Sequence, residues 1–463
     1  MLDIKLLRET PDAVVDNLEA RRVVVFDDLT PDRPGWARLS VDRLVALDVA
    51  WREALAATEE VRRRQNANAE AMKAVGKLPK DEQAAARAPL LEEGRALREA
   101  EREQTAAVQA AEAARDAVWA KLPNTTHPEV PRGHTDDDHR VLRQVGTIRD
   151  FAAEGFEPLD HVELCERLEL CDLASGAKVA GQKFYYLKND AVLLDLALQH
   201  YALDVAARHG FTLHTTPDLA RIEILAGLGF NPRGAGTQVY SIADSDLCLV
   251  GTAEITLGGM LADEIIDEER LPLLVAGLSH CFRTEAGAAG RDTRGLYRVH
   301  QFTKVELFAF VTGELAVSEA MHARFLAIEE EIFTGLGLPY RVLDIASGDL
   351  GGPAFRKFDI EAWMPGRAAG QGRGAYGEVT STSNCTDYQA RRLRIRYRPR
   401  DDGSGKARKP RFVHMLNGTA IANTRAIVAL LENYQQRDGS IAVPQALQRW
   451  VGKDRIGPRT SAP

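Results

Sequence analysis

The chain has 463 residues, 45% hydrophobic and 27% charged, the balance of a folded globular protein rather than a disordered one. With 59 Lys and Arg against 67 Asp and Glu the formal net charge is −8, so the chain as a whole is no basic nucleic-acid coat, and any phosphate contact has to come from local clusters of Lys and Arg. Its five cysteines, Cys165, Cys171, Cys248, Cys281 and Cys385, include no CxxC pair, which argues against a disulfide framework and against a zinc ribbon. The first residues, MLDIKLLRETPD, are too charged for a signal peptide, and no apolar run approaches ~20 residues. These features predict a soluble, cytoplasmic protein with no membrane segment.

From about Val41 to Leu122 the chain is rich in Ala, Glu, Arg and Gln and nearly free of aromatics, with one break at Gly76-Lys77-Leu78-Pro79. Before the break, Leu44, Leu47, Trp51, Ala54, Thr58, Val61 and Gln65 recur in steps of three and four, a heptad seam. Leu90, Gly94, Leu97, Val108, Ala111, Val118 and Leu122 carry a looser version after it. The pattern predicts two long helices folded back as an antiparallel hairpin, each reaching ~50–60 Å at 1.5 Å per residue. Such an arm serves as a lever, a dimerisation rod or a recognition device. Arg62-Arg63-Arg64, with Lys73 and Lys77, points to an anionic partner; a purely structural coiled coil with a solvated charged face is the alternative.

After Pro123 the pattern becomes mixed. Ala191–Leu198 runs into a helix ending near Gly210, and Phe211–Thr216 is a short strand closed by Pro217. Val239–Ile242 and Leu247–Val250 read as a hairpin, and Leu273–Gly277, Val299–Phe302, Glu306–Val311 and Tyr340–Ile345 as further strands. Few of these alternate with helices, so the expected class is α+β, an antiparallel sheet flanked by helices. Gly366–Gly374 and Arg398–Arg411 read as Gly-, Arg- or Lys-rich loops, and Arg391–Arg396 as a basic strand face, either a solvated edge or a nucleic-acid contact.

Chemistry concentrates between Gly251 and Arg425. Arg283 and Glu285 precede a Gly-rich basic loop, Gly290–Gly295, and then a strand carrying Phe302 and Glu306. Arginine holds phosphate or carboxylate bidentately, and a nearby acid accepts from an amine, which suits a polyanionic, nitrogen-bearing ligand such as ATP. No Walker or GxGxxG stretch is present, so neither a P-loop nor a dinucleotide fold has support. His300 has no partner that the sequence names and reads as structural.

FRTEAGAAGRDTRGLYRVHQFTKVELF resembles motif 2 of the bacterial-type seryl-tRNA synthetases, and LNGTAIANTRAIVALLENYQQRDGSIAVPQAL resembles their motif 3 and C-terminal helix. GTAEITL, RKFDIEAW and EVTSTSNCTDYQARRL are similar to that family's serine and ATP segments, and GFTLHTTPDL carries the proline expected of motif 1. The resemblance runs from MLDIKLLRE to Pro444, and the helical hairpin falls where the family has its tRNA-binding arm. It implies a class II synthetase with a tRNA-binding domain over residues 1–122, including the hairpin at about 41–122, and a catalytic domain over 123–463. It further implies a homodimer that activates L-serine with ATP and Mg²⁺, with no zinc, and esterifies the 3′ end of tRNA(Ser), and of tRNA(Sec) where one exists.

Residue by residue, the resemblance implies that Thr252 and Glu254 clamp the serine α-ammonium, with Ala253 between them in the serine-binding segment, and that Arg283 is shared between the α-phosphate and the serine carboxylate. Thr284 and Glu285 belong to the ATP segment, Glu285 meeting the adenine amino group, with Phe302 stacking on the ring and Val299 giving backbone contacts. Glu306 and Thr419 surround the serine hydroxyl. Glu378, Val379, Thr380 and Ser381 form a second ATP segment whose ends, Glu378 and Ser381, meet Mg²⁺, and Arg425 is the motif 3 arginine. The tRNA contacts are then Arg62, Arg63, Arg64, Lys73 and Lys77 of the arm. The substrate carboxylate is itself the nucleophile, so catalysis is positioning and electrostatics, carried chiefly by Arg283 and Arg425. The chain departs from the family at Thr256, where Pro is common, at Ala288-Ala289, where Ser-Tyr is frequent, and in the length of the loops at 366–374 and 398–411. A synthetase-like binding protein and an amino-acid–carrier-protein ligase are the competing readings; the intact motifs weigh against the first and the long arm against the second.

Overall fold

The structure, a computed structural model, describes residues 1–230, 237–286, 294–369, 372–401 and 408–458. The chain divides into two compact units, Met1–Thr125 and Thr126–Pro463. Among the described residues no helix is long and apolar enough to cross a membrane.

In the first unit, short helices α1 (Ile4–Glu9) and α2 (Pro11–Arg21) precede two 40-residue helices, α3 (Trp36–Val75) and α4 (Lys80–Trp119). The turn lies at Gly76–Pro79 as the sequence predicts. Pro79 caps α4, and Asp81 and Glu82 in its first turn complement the helix dipole. The seam is more polar than an apolar heptad. Gln65 donates through Nε2 to the Leu97 carbonyl at 3.3 Å and to Glu101 at 2.9 Å, and Asn68 donates to the Leu90 carbonyl at 3.0 Å, next to the in-helix Pro89. These bonds tie side chains of α3 to the backbone of α4 and so pin the register where apolar contacts are sparse. At the base, the buried Asp48 takes Arg8 at 2.7 Å and Arg52 at 3.1 Å, and the Arg8 hydrogen bond holds its carboxyl below the usual carboxylate range.

The second unit is built on an eight-stranded sheet: β1 (Arg140–Val145), β2 (Thr212–Thr215), β3 (Leu273–Phe282), β4 (Gln301–Val311), β5 (Tyr340–Asp344), β6 (Arg356–Ala369), β7 (Gly372–Asn384) and β8 (His414–Ala422). The spatial order is β1-β5-β6-β7-β8-β4-β3-β2, antiparallel throughout except for β2 beside β3. This is the expected α+β antiparallel architecture. Helices Asp190–Arg208, Leu315–Gly335 and Asn423–Tyr434 pack against the sheet. The period-2 alternation of β4 explains its double burial. Val305, Leu307, Ala309 and Val311 enter the helix-covered core, and Phe308 and Phe310 enter a second core with Tyr397 and Met415.

Several local expectations are corrected. Val299–Phe302 and Glu306–Val311 are not two strands: one strand starts at Gln301, and Val299 precedes it. Val239–Ile242 forms no regular strand, yet it turns back on the second arm as expected, with an antiparallel bridge from Ser241 to Cys248 and backbone bonds from Ile242 to the Leu247 carbonyl at 3.0 Å and from Leu249 to the Tyr240 carbonyl at 2.9 Å, while the other edge of Leu247–Leu249 pairs with Leu219–Arg221. The predicted loop at Gly366–Gly374 is largely strand, its ends paired at Ala368 with Arg373 and Ala369 with Gly372; residues 370 and 371 lie outside the described residues. Of the predicted loop Arg398–Arg411, residues 402–407 lie outside them too, and its ends belong to strands Arg396–Arg398 and Arg411–Phe412. Arg391–Arg396 is no exposed strand face. Tyr388–Leu393 is a helix on which Arg391 pairs with Asp387, and strand Arg396–Arg398 is flanked on both sides, by Arg411–Phe412 and Ile265–Asp267.

Candidate active site

The register of five neighbouring strands, β6-β7-β8-β4-β3, assembles the site. In β4, Phe302, Lys304 and Glu306 alternate onto one face. Across from them, Thr419 of β8 is registered with Glu306, and Phe302 is registered with Cys281 of β3, two residues before Arg283. In β6 and β7, Asp359 is registered with Ser381 and Glu361 with Glu378. Two adjoining cavities open over this face. One is lined by Glu285, Tyr297, Val299, Phe302, Val379, Thr380 and Arg425, the other by Thr252, Glu254, Glu306, Ser381 and Asn417. Arg283, Lys304, Glu378 and Thr419 line both.

Arg283 stacks its guanidinium over Phe302, 5.2 Å from the ring centroid, and donates through Nε to the Gly251 carbonyl at 3.2 Å. Arg425 donates through Nη1 to the Glu378 carbonyl at 3.2 Å, lies 3.1 Å from its carboxylate, and rests 4.9 Å over the Tyr297 ring. The Tyr297 hydroxyl donates to the same Glu378 carbonyl at 3.0 Å. Burial pushes Glu378 towards its neutral form, but Arg425, Lys357 and Arg283 outweigh it and hold the carboxyl well below the usual range. Lys304 pairs with Glu306 and donates to the Thr419 hydroxyl at 3.3 Å. Burial raises the Glu306 carboxyl, with Lys304 opposing. Glu254 is pushed up to about 7, by burial first and then by the charge of Glu306.

The residues expected around serine and ATP therefore converge, with two exceptions. Ala253 is fully buried and reaches neither cavity, and Thr284 turns its hydroxyl to the Thr237 carbonyl at 2.6 Å. The arm residues belong to the first unit. There Arg62 pairs with Glu101, Arg63 with Glu60, Arg64 with Glu93 and Lys73 with Glu70. His300, read as structural, lines neither cavity; its Nδ1 lies 3.0 Å from the Tyr240 hydroxyl and 2.8 Å from the Arg283 carbonyl, and its ring stacks on Phe184. Sequence reasoning missed Lys304, Tyr297 and Asn417. The strand period from Phe302 to Glu306 was signal enough for Lys304; nothing local marks the other two.

Glu378 and Ser381 offer a carboxylate and a hydroxyl to the second cavity, beside Asp359, whose Oδ1 is buried without a hydrogen-bond partner among the described residues. An all-oxygen set held ionised at Glu378 fits a magnesium ion carried by a nucleotide.

The fold and this constellation define a class II aminoacyl-tRNA synthetase: residues 239–434 match the family model of the tRNA synthetase class II core domain (G, H, P, S and T). Residues 1–126 match the seryl-tRNA synthetase N-terminal domain. The chain is 51% identical over 458 residues to the serine–tRNA ligase of Rubrobacter xylanophilus, covering 99% of each, and 48% identical over 457 residues to that of Treponema denticola, covering 99% of this chain and 100% of the relative. The crystal structure of seryl-tRNA synthetase from Pyrococcus horikoshii complexed with ATP superposes with a TM-score of 0.85 at 39% identity, covering 99% of this chain and 100% of that one. The chain belongs to the seryl-tRNA synthetase family.

Proposed function

We propose how the second unit carries out the ligation of serine to tRNA that defines this family. ATP occupies the cavity of Glu285, Phe302 and Arg425, serine the cavity of Thr252, Glu254 and Glu306, and the reacting atoms meet at Arg283. The observation that carries this reading is that Arg283, Lys304, Glu378 and Thr419 line both cavities. The serine carboxylate oxygen attacks the α-phosphorus, the bond to the β-phosphate oxygen breaks, and pyrophosphate leaves. A 3′-terminal ribose hydroxyl of tRNA(Ser) then attacks the seryl carbonyl carbon and AMP leaves. Arg283 and Arg425 hold the α-phosphate oxygens as charge redistributes over them. Phe302 stacks on adenine while Glu285 accepts from its amino group, and Glu378 and Ser381 hold the nucleotide's Mg²⁺, which supplies positive charge to the phosphates. Serine-dependent ATP–pyrophosphate exchange tests the activation step and charging of tRNA(Ser) the transfer; no exchange from folded protein overturns the reading.

The partners follow from the same reading. Residues 1–122 form the tRNA-binding domain, its arm gripping tRNA(Ser). The apolar residues Val192, Leu193 and Leu196 are exposed on helix Asp190–Arg208, and Leu213 on β2, one of the two edge strands of the sheet. This face suits a second copy of the chain, making a homodimer.

Specificity rests on the hydroxyl. Glu306 and Thr419, joined by Lys304, present a buried acceptor and donor that alanine leaves unpaired, and a site of this kind rejects such an analogue by roughly 10⁴–10⁵. Glu306→Ala or Thr419→Ala should erode discrimination between serine and alanine more than it weakens ATP binding. Equal losses with both amino acids would remove these residues from hydroxyl recognition.

A pH dependence follows from Glu254. Its proton, held up to about 7 in the ligand-free protein, competes with the substrate ammonium for the same carboxylate. The KM for serine should be flat at alkaline pH and rise as pH falls through that value, by up to about tenfold per unit. Glu254→Gln should remove the slope and raise KM throughout.

A further inference from the structure

Gln389, on helix Tyr388–Leu393, is fully buried behind Glu254. Its Nε2 donates to Glu254 Oε1 at 2.7 Å and to the Leu228 carbonyl at 3.1 Å, while its own Oε1 has no hydrogen-bond partner among the described residues. That fixes the amide's orientation. Flipped, it would aim a carbonyl oxygen at a carboxylate and at a second carbonyl. A leucine or methionine would fill the same space without burying an orphaned carbonyl, so the polar side chain calls for a use beyond packing. Asn417 donates through Nδ2 to the same oxygen of Glu254, at 3.0 Å. Both protein donors meet Oε1; Oε2 takes none among the described residues, and Glu254 lines the serine cavity.

We propose that Gln389 is a positioning residue for amino-acid recognition: it holds the Glu254 carboxylate ionised, with Oε2 left to the substrate ammonium. This rests on Glu254 being the ammonium clamp. The charged groups facing Glu254 are Glu306 and Lys304 from β4 and Arg283 at the end of β3. Burial and Glu306 drive the carboxyl towards its neutral form, and Gln389 opposes them ahead of Lys304 and Arg283. A hydrogen bond to the charged form favours that form. Without Gln389 the proton stays on Glu254 to higher pH, and serine binding pays for its removal. Asn417 remains as the second donor, so the effect is a shift rather than a loss.

The test is serine-dependent ATP–pyrophosphate exchange on the full-length chain between about pH 6 and 9, with KM for serine, KM for ATP and kcat determined separately, and thermal melting alongside. Gln389→Met keeps the volume and removes both donors. It should raise the serine KM about fivefold at about pH 7 and towards tenfold below it, and move the midpoint of its pH profile up by about one unit, with kcat and the ATP KM within about twofold of wild type. Gln389→Glu sets a second carboxyl against Glu254 and should move the midpoint further. A midpoint and serine KM unchanged in both variants overturn the proposal, even if melting temperatures fall, since that is what a packing role alone predicts. Glu254→Gln separates the two readings. A normal serine KM there sinks the clamp itself, whereas a raised one beside unaltered Gln389 variants sinks only the positioning role.

Discussion

Arg283→Ala and Arg425→Ala should each lower serine-dependent ATP–pyrophosphate exchange by at least ~10²-fold, the usual scale for one electrostatic donor aimed at a developing charge. The expected loss is larger for Arg425. Its guanidinium is fixed from three sides, by the Glu378 carbonyl, the Glu378 carboxylate and the Tyr297 ring. Removing it takes away the proposed phosphate ligand and also the main cation that keeps Glu378 ionised. On the proposed roles, one substitution thus weakens both the arginine contact and the carboxylate assigned to magnesium. Arg425→Lys should rescue little: a lysine is a point charge that reproduces neither the fork nor the stacking. Among the described residues Arg283 is held by one side-chain hydrogen bond, to the Gly251 carbonyl, and by Phe302, so Arg283→Lys should retain more activity than Arg425→Lys. Near-wild-type exchange in either alanine variant, with the fold intact, would remove that arginine from the chemistry.

How far the sequence carries this picture differs from element to element. The arm is legible because its seam repeats and its turn is marked by Gly76 and Pro79. The catalytic strands are legible where residues alternate between two cores, as from Val305 to Val311. The hairpin at Gly366–Gly374 is not, because glycine and arginine signal a loop while the pairing partner that makes it strand lies on the other side of the turn. Arg391–Arg396 fails for a similar reason: basic side chains can line a helix whose opposite face is buried. Within the site, residues on contiguous motifs are readable, but Gln389 acts from a helix about 135 positions away from Glu254, and only the folded structure brings them together. His300 is a ring whose partners, Tyr240 and Phe184, are likewise remote in sequence.

The arm offers the second large effect. Every residue assigned to adenylation lies in the unit Thr126–Pro463, so replacing the α3–α4 hairpin by a short Gly/Ser linker should spare exchange while charging of tRNA(Ser) falls sharply, mostly through KM. Which side chains carry that loss is a sharper question. Four of the five cations expected to grip tRNA, Arg62, Arg63, Arg64 and Lys73, already pair with glutamates of the arm. On α4, by contrast, Arg87, Arg95, Arg98 and Arg102 are exposed, have no ion pair among the described residues, and recur at three- and four-residue multiples that put them on one stripe. A polyanion meets these without first breaking a pair. Arg95→Glu with Arg98→Glu should therefore raise the KM for tRNA more than Arg63→Glu with Lys73→Glu, leave exchange unchanged, and flatten the salt dependence of tRNA binding by roughly 0.9 in log–log slope for each phosphate no longer neutralised. If the double reversal on α4 leaves tRNA KM and its salt slope as they were, the stripe is a solvated face, and if hairpin removal does the same the whole arm is structural.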